Sequence, residues 1–117
     1  QSISHAACSV AKKQGIKKII TMTHTGSTAR MVSSYRPGAE IIAMTPFKEI
    51  CRQLGIIWGV RPLLVRDYNT SDDIPLIANE ILMLNKIIKK SEKYVITGGV
   101  PVGVPGTTNY LSVLKIV

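Results

Sequence analysis

Short β-branched runs alternate with amphipathic, helix-length stretches along this chain, and that alternation limits the fold more than any other feature. Ser2 to Gln14 spaces Ile3, Ala6, Ala7, Val10 and Ala11 three and four residues apart, one face of a helix, and Gly15 stops it. Lys17 to Met22 then reads as a short buried strand. A polar loop, Thr23 to Thr28, opens a second helix with Met31, Val32 and Tyr35 on its inward side. Arg36-Pro37-Gly38 ends that helix, because a residue before proline avoids helical geometry. Glu40 to Met44 is a second strand. Thr45-Pro46 starts the next helix, with Thr45 as N-cap and Pro46 in first position, and Phe47, Ile50, Cys51 and Leu54 face inward. Val60 to Val65 is a third strand with Pro62 near its start, and Trp58 ahead of it reads as a core plug. Ser71 or Asp72 caps a longer helix striped by Ile74, Ile77, Ala78, Ile81, Leu84 and Ile88. Tyr94 to Thr97 and Tyr110 to Val117 complete the strands.

Strands separated by helices make a mostly parallel sheet with helices on both faces. The last link breaks the pattern, since Gly98 to Thr107 is a Gly/Pro loop too short for a parallel crossover, and the final strand must run antiparallel. With 117 residues, 45% of them hydrophobic, the chain builds one α/β domain over residues 1–117 with a real core. One Trp and one Phe are too few for a base-stacking platform, so nucleic acid is not an expected partner. No apolar run approaches about 18–20 residues, so no membrane partner is expected either. Cys8 and Cys51 read as reduced, helix-buried thiols, which points to a cytoplasmic protein. The start at Gln1 carries no leader pattern and no Met, as in a piece of something longer. The net charge of +8 favours polyanions, phosphorylated ligands or an acidic partner, although lysines near helix C-termini also complement the helix dipole.

Ligands of open α/β sheets sit beyond the carboxyl ends of the strands. Thr23 to Thr28 is the sharpest feature there: a small-residue turn opening a helix aims backbone N–H groups and a positive dipole end outward, which suits a phosphate. Thr23, Thr25, Ser27 and Thr28 add hydroxyls, Gly26 allows close approach, and Ser27 or Thr28 also serves as helix cap. No Lys follows Gly26 in the P-loop manner. The Gly98 to Thr107 loop, with Gly103 and Gly106, either covers that phosphate site or simply reverses the chain. Catalytic residues are not in evidence. His24 has no carboxylate close in sequence to orient it, Asp72-Asp73 read as cap residues, and no spacing suggests a metal.

Four ordered stretches carry a family resemblance. Thr25-Gly26-Ser27-Thr28-Ala29-Arg30-Met31-Val32-Ser33-Ser34-Tyr35-Arg36-Pro37 resembles the segment opening the second helix of pyruvate kinase C-terminal domains. Ile42-Ala43-Met44-Thr45-Pro46, Trp58-Gly59-Val60 with Pro62, and Gly99-Val100-Pro101-Val102-Gly103-Val104-Pro105-Gly106-Thr107-Thr108-Asn109 are similar to later segments of the same domain. The resemblance covers essentially the whole chain. It implies a three-layer α/β/α domain with a mixed five-stranded sheet in order 3-2-1-4-5.

In that family the domain is regulatory and helps build the oligomer. Phosphoryl transfer from phosphoenolpyruvate to ADP, with its Mg and K ions, belongs to a separate catalytic barrel. The resemblance therefore implies no catalytic residue, no cofactor and no metal in this domain, no turnover by this chain alone, and the barrel of a parent chain as a partner. It further implies an effector phosphate on Thr23, Thr25, Gly26, Ser27 and Thr28, with His24 where members vary. Members responsive to fructose bisphosphate use a Trp and an Arg after the third strand, whereas Asp67 to Asp73 here is acidic and lacks both. AMP or a sugar monophosphate is the expected effector. The last strand, at a sheet edge, is the expected homo-oligomer contact. Two other readings compete: a stand-alone phosphometabolite-binding or interaction module, and a small enzyme using His24.

Overall fold

The computed structural model describes residues 3–68, 72–98 and 110–115. The elements run α1 (Ile3–Gln14), β1 (Lys18–Met22), α2 (Ser27–Ser34), β2 (Glu40–Thr45), α3 (Lys48–Leu54), β3 (Val60–Leu64), α4 (Asp73–Leu84), β4 (Lys93–Gly98) and β5 (Tyr110–Lys115). They form one five-stranded sheet in order β3-β2-β1-β4-β5. β1 pairs in parallel with β2 and β4, β2 with β3 likewise, and β5 alone runs antiparallel, against β4. The mixed sheet and its order follow the expectation from the alternating pattern and the family resemblance.

Successive strand residues face opposite ways, so β1, β2 and β4 are buried on both sides and carry unbroken apolar runs. Ile19, Ile41 and Val95 point to one side, where Ala7, Cys8 and Ala11 of α1 and Val32 of α2 cover them. Ala29 of α2 and Leu54 of α3 close over Ala43 on that same side. Ile20, Met22, Ile42, Met44, Tyr94 and Ile96 point to the other, under Ile74, Ile77, Ala78 and Leu82 of α4. Helices thus cover both faces of the sheet. β3 is an edge strand, which is why Pro62, the third of its five residues, fits: the missing N–H would face no further strand.

Several local expectations need correcting. The helix after β2 starts at Lys48 with Phe47 as N-cap, because Thr45 is held as the last β2 residue and uses its hydroxyl to accept the Phe47 N–H at 3.3 Å. Met31 and Tyr35 are exposed, and the buried side of α2 is Thr28, Ala29, Val32 and Ser33, since that side meets both α1 and the sheet. Phe47 is exposed, and Leu82 rather than Leu84 completes the α4 stripe. Cys8 is buried but Cys51 only half so, and burial raises the pKa of each free thiol. Trp58 is 54% exposed and not a core plug: it lies in the α3–β3 turn, where no helix layer covers it. Its ring lies under the Arg36 guanidinium at 4.4 Å and its carbonyl accepts from the Ser33 hydroxyl, so it fastens two turns together. Asp72 holds the α4 N-cap position without a side-chain cap bond, and Ser71 lies outside the described residues.

Candidate functional site

The chain leaves β1 through α2 on one face and leaves β3 through α4 on the other. The carboxyl ends of the neighbouring strands β1 and β4 therefore border the crevice where such sheets bind ligands. Thr23 continues the sheet, donating its N–H to Met44 O at 3.0 Å. Its hydroxyl, almost wholly buried, accepts the Gly26 N–H at 2.7 Å and folds the loop into a tight turn. Gly26 is the N-cap, with φ 89 and ψ −4, and makes no side-chain cap bond. The helix cap is therefore neither Ser27 nor Thr28, as the sequence suggested. A left-handed backbone is needed to swing the chain into α2, and only glycine takes it cheaply. A Cβ there would also stand 3.2 Å from Leu54 Cδ2.

The five loop residues expected to bind phosphate divide into two sets. Thr23, Gly26 and Thr28 are buried and shape the turn, while Thr25 is half-buried and Ser27 exposed. Thr25 Oγ1 accepts the Ser27 N–H at 3.3 Å and donates to Ser27 Oγ at 3.1 Å. The outward-facing donors of the loop therefore centre on Thr25 and Ser27 at the entry to α2. Gly98, last in β4, closes the crevice from the neighbouring strand, and a Cβ there would meet Met22 O at 3.0 Å. Gly103 and Gly106, the possible covering loop, lie outside the described residues.

His24 does have an orienting carboxylate, contrary to expectation. Its Nε2 lies 3.3 Å from Asp67 Oδ1, which also accepts the Tyr68 N–H at 2.8 Å. The acid is distant in sequence and reaches the loop because β1 and β3 run parallel and end at the same end of the sheet. The Tyr68 backbone N–H, and then His24, lower the pKa of Asp67. The imidazole stacks on Tyr68 at 4.9 Å between ring centroids and meets Phe47 at 5.3 Å. Burial, then the Asp67 charge, push the Tyr68 hydroxyl up to about 12. Sequence reasoning missed Phe47, Asp67 and Tyr68 at this place, although each follows the carboxyl end of a strand. The His24–Asp67 contact joins the Thr23–Thr28 loop to the segment that follows β3, and among the described residues no serine, threonine or cysteine is hydrogen-bonded to His24. No cluster of His, Cys, Asp or Glu among the described residues could hold a metal. No described helix is long and apolar enough to cross a membrane.

Known proteins place this geometry. The sequence profile of the family described as "Pyruvate kinase, alpha/beta domain" matches residues 1–114. The pyruvate kinase of Clostridium acetobutylicum is 39% identical over 111 residues, 95% of this chain and 24% of that protein. That of Lactobacillus delbrueckii subsp. bulgaricus is 37% identical over 95% of the chain and 19% of its own length. Cryptosporidium parvum pyruvate kinase, solved in complex with ADP, superposes with a TM-score of 0.84 at 30% identity, covering 98% of this chain and 23% of that one. The chain thus spans about a quarter or less of these relatives. With its sheet order, its antiparallel last strand and a profile match over nearly its whole length, this chain belongs to the pyruvate kinase alpha/beta domain family.

Proposed function

We propose that this domain binds a phosphorylated effector and contributes to oligomerisation of a pyruvate kinase, whose intact form moves phosphoryl from phosphoenolpyruvate to ADP. The observation that carries the reading is the Thr23–Thr28 turn, which presents the Ser27 N–H and the Thr25 and Ser27 hydroxyls at the positive end of α2. A phosphate monoester seated there takes over the long Thr25–Ser27 N–H bond and leaves the short Thr23–Gly26 bond in place. The acids of the segment Asp67 to Asp73 disfavour a second phosphate, which supports AMP or a sugar monophosphate over a bisphosphate. The Mg and K of the reaction belong, on this reading, with the catalytic barrel of a parent chain. On this reading residues 1–117 form one domain, the chain turns over no phosphoenolpyruvate by itself, and the protein works in the cytoplasm.

Thermal melting with AMP and a panel of sugar monophosphates tests the site. A saturating effector at about 100 times its Kd raises stability by ~2.7 kcal/mol. Ser27→Asp puts a carboxylate where the phosphate sits, on an exposed side chain that perturbs no core, and should abolish the shift. An unchanged melt across the whole panel reduces the loop to a helix entry. Pyruvate formation that persists in the repurified chain contradicts the regulatory reading.

A further inference from the structure

Opposite the Thr23–Thr28 loop, strand N-termini and helix C-termini gather lysines at one pole. Lys12 and Lys13 end α1, Lys17 and Lys18 lead into β1, and Lys86, Lys89, Lys90 and Lys93 line the α4–β4 connection. Lys115 closes β5. Of these nine only Lys18 forms an ion pair among the described residues, with Glu40 at 2.9 Å. The other acid nearby, Glu92, is occupied by the Lys89 backbone N–H at 2.9 Å.

Complementing the helix dipole accounts for Lys12 and Lys13, in the last turn of α1, but not for the other lysines. α4 has no basic residue in its last turn; its lysines come after it, on a connection in which Lys86 (φ 55) and Ser91 (φ 69) take the left-handed backbone that favours glycine. Lys93 and Lys115 lie directly opposite across the β4–β5 ladder, where like charges destabilise. Lys17 and Lys93 flank a cleft of about 410 Å³ between the α1–β1 and α4–β4 turns, also lined by Gln14, Ser91 and Glu92. A pole that keeps repelling lysines around a cleft is built to meet negative charge.

We propose that this pole docks an acidic polypeptide segment. A phosphate polymer is the poorer fit, because phosphates favour helix N-termini and arginine forks. Here each described helix ends where the next strand begins, so no helix N-terminus with free N–H groups opens at this pole for a phosphate. No arginine lines the cleft. Met83 and Leu84, 44% and 74% exposed just ahead of Lys86, add an apolar margin that a segment mixing acids with leucines covers.

Fluorescence anisotropy with a labelled peptide of about a dozen Glu and Asp residues interrupted by two leucines tests this. Binding should weaken with added NaCl and fall at least ~tenfold in a Lys89→Ser, Lys90→Ser, Lys93→Ser variant. It should stay near wild type in Lys48→Ser, Arg30→Ser, Arg66→Ser, which removes equal charge elsewhere. Every substituted side chain is exposed, and Lys93→Ser alone should raise the urea midpoint by relieving Lys115, a readout that needs no ligand. Equal losses in both triple variants, no binding of the peptide, or tighter binding of an oligothymidylate or of phosphatidylserine vesicles would each overturn the proposal. None of these outcomes touches the effector loop, so the two readings fail independently.

Discussion

Replacing Gly26 by alanine probes the turn that shapes the candidate phosphate site. The residue sits at φ 89, where an L-side chain costs about 1–2 kcal/mol. The new Cβ would stand 3.2 Å from Leu54 Cδ2 and 3.5 Å from Ile50 Cγ2. Leu54 is fully buried against Ala29 and Ala43 and has nowhere to turn, so overpacking adds about 1–3 kcal/mol. Gly15 provides the control: φ is 66 and a Cβ there meets nothing within 4 Å, so alanine costs the backbone strain alone. Urea unfolding should give losses of ~1–2 kcal/mol for Gly15→Ala and ~2–5 kcal/mol for Gly26→Ala, with unchanged m-values. In a domain of this size each kcal/mol is about 4 °C of melting temperature. Gly26→Ala should also weaken any effector, because the Thr23–Gly26 bond at 2.7 Å would be displaced. Equal costs for the two variants, or less than ~1 kcal/mol at Gly26, would show that the Leu54 contact does not constrain the turn.

Three further outcomes are expected. Tyr68 ionises near 10 unfolded and about 12 folded, so the unfolded state binds fewer protons between those values and stability falls as pH rises through them. The stability difference between wild type and Tyr68→Phe should change across that window and level off outside it; a constant difference from pH 9 to 12 removes the claim of a raised hydroxyl. Thr21 Oγ1 is buried in mid-sheet without a hydrogen-bond partner among the described residues, so the isosteric Thr21→Val should stabilise by ~1 kcal/mol; a loss of similar size in denaturant melts would reveal a partner. β5 pairs only with β4 and leaves Val113 37% exposed, so two copies should pair through that edge. Sedimentation at rising concentration should show a dimer that Val113→Pro dissociates, and a dimer indifferent to the substitution places the contact elsewhere.

What could be read from sequence divides by range. Strand identity, strand direction and the two-faced core depend on local periodicity, and β1, β2 and β4 declare themselves as short runs rich in Ile, Val and Thr. Helix entries were less legible. Thr45-Pro46 carries a strong start signal, yet pairing with β3 keeps Thr45 in the sheet and moves the start of α3 to Lys48. Trp58 illustrates the same limit: a large apolar residue before a strand suggests core, but its turn lies beyond the reach of any helix layer. The site was half legible. Thr23 to Thr28 is contiguous and could be found by composition, whereas Asp67, Tyr68 and Phe47 join His24 only through the sheet order. Once that order is known, looking after every strand end at one end of the sheet recovers all three.

The loop is held at both ends before any ligand arrives, and this decides how it can recognise an anion. Thr23 Oγ1 ties the turn to Gly26, Leu54 closes against Gly26 from α3, and His24 is held between Phe47 and Tyr68 with Asp67 at its edge. These contacts use the buried groups and leave Thr25 and Ser27 at the solvent end, joined by their own pair of bonds. Binding then costs little ordering, because only hydroxyl rotors at those two residues must change partners. On the proposed reading the same rigidity would make the site selective by charge. A monoester would meet the α2 N-terminus directly, whereas a second phosphate reaching toward the end of β3 would meet Asp67, whose pKa the Tyr68 N–H and His24 lower. Asp67→Asn therefore separates two roles of one residue. It should relax discrimination against bisphosphates in a competition assay while leaving monophosphate affinity within about twofold, as expected if Asp67 acts only on a second phosphate. If monoester affinity collapses with it, Asp67 acts by holding His24 in place, and the loop owes its shape to that pair.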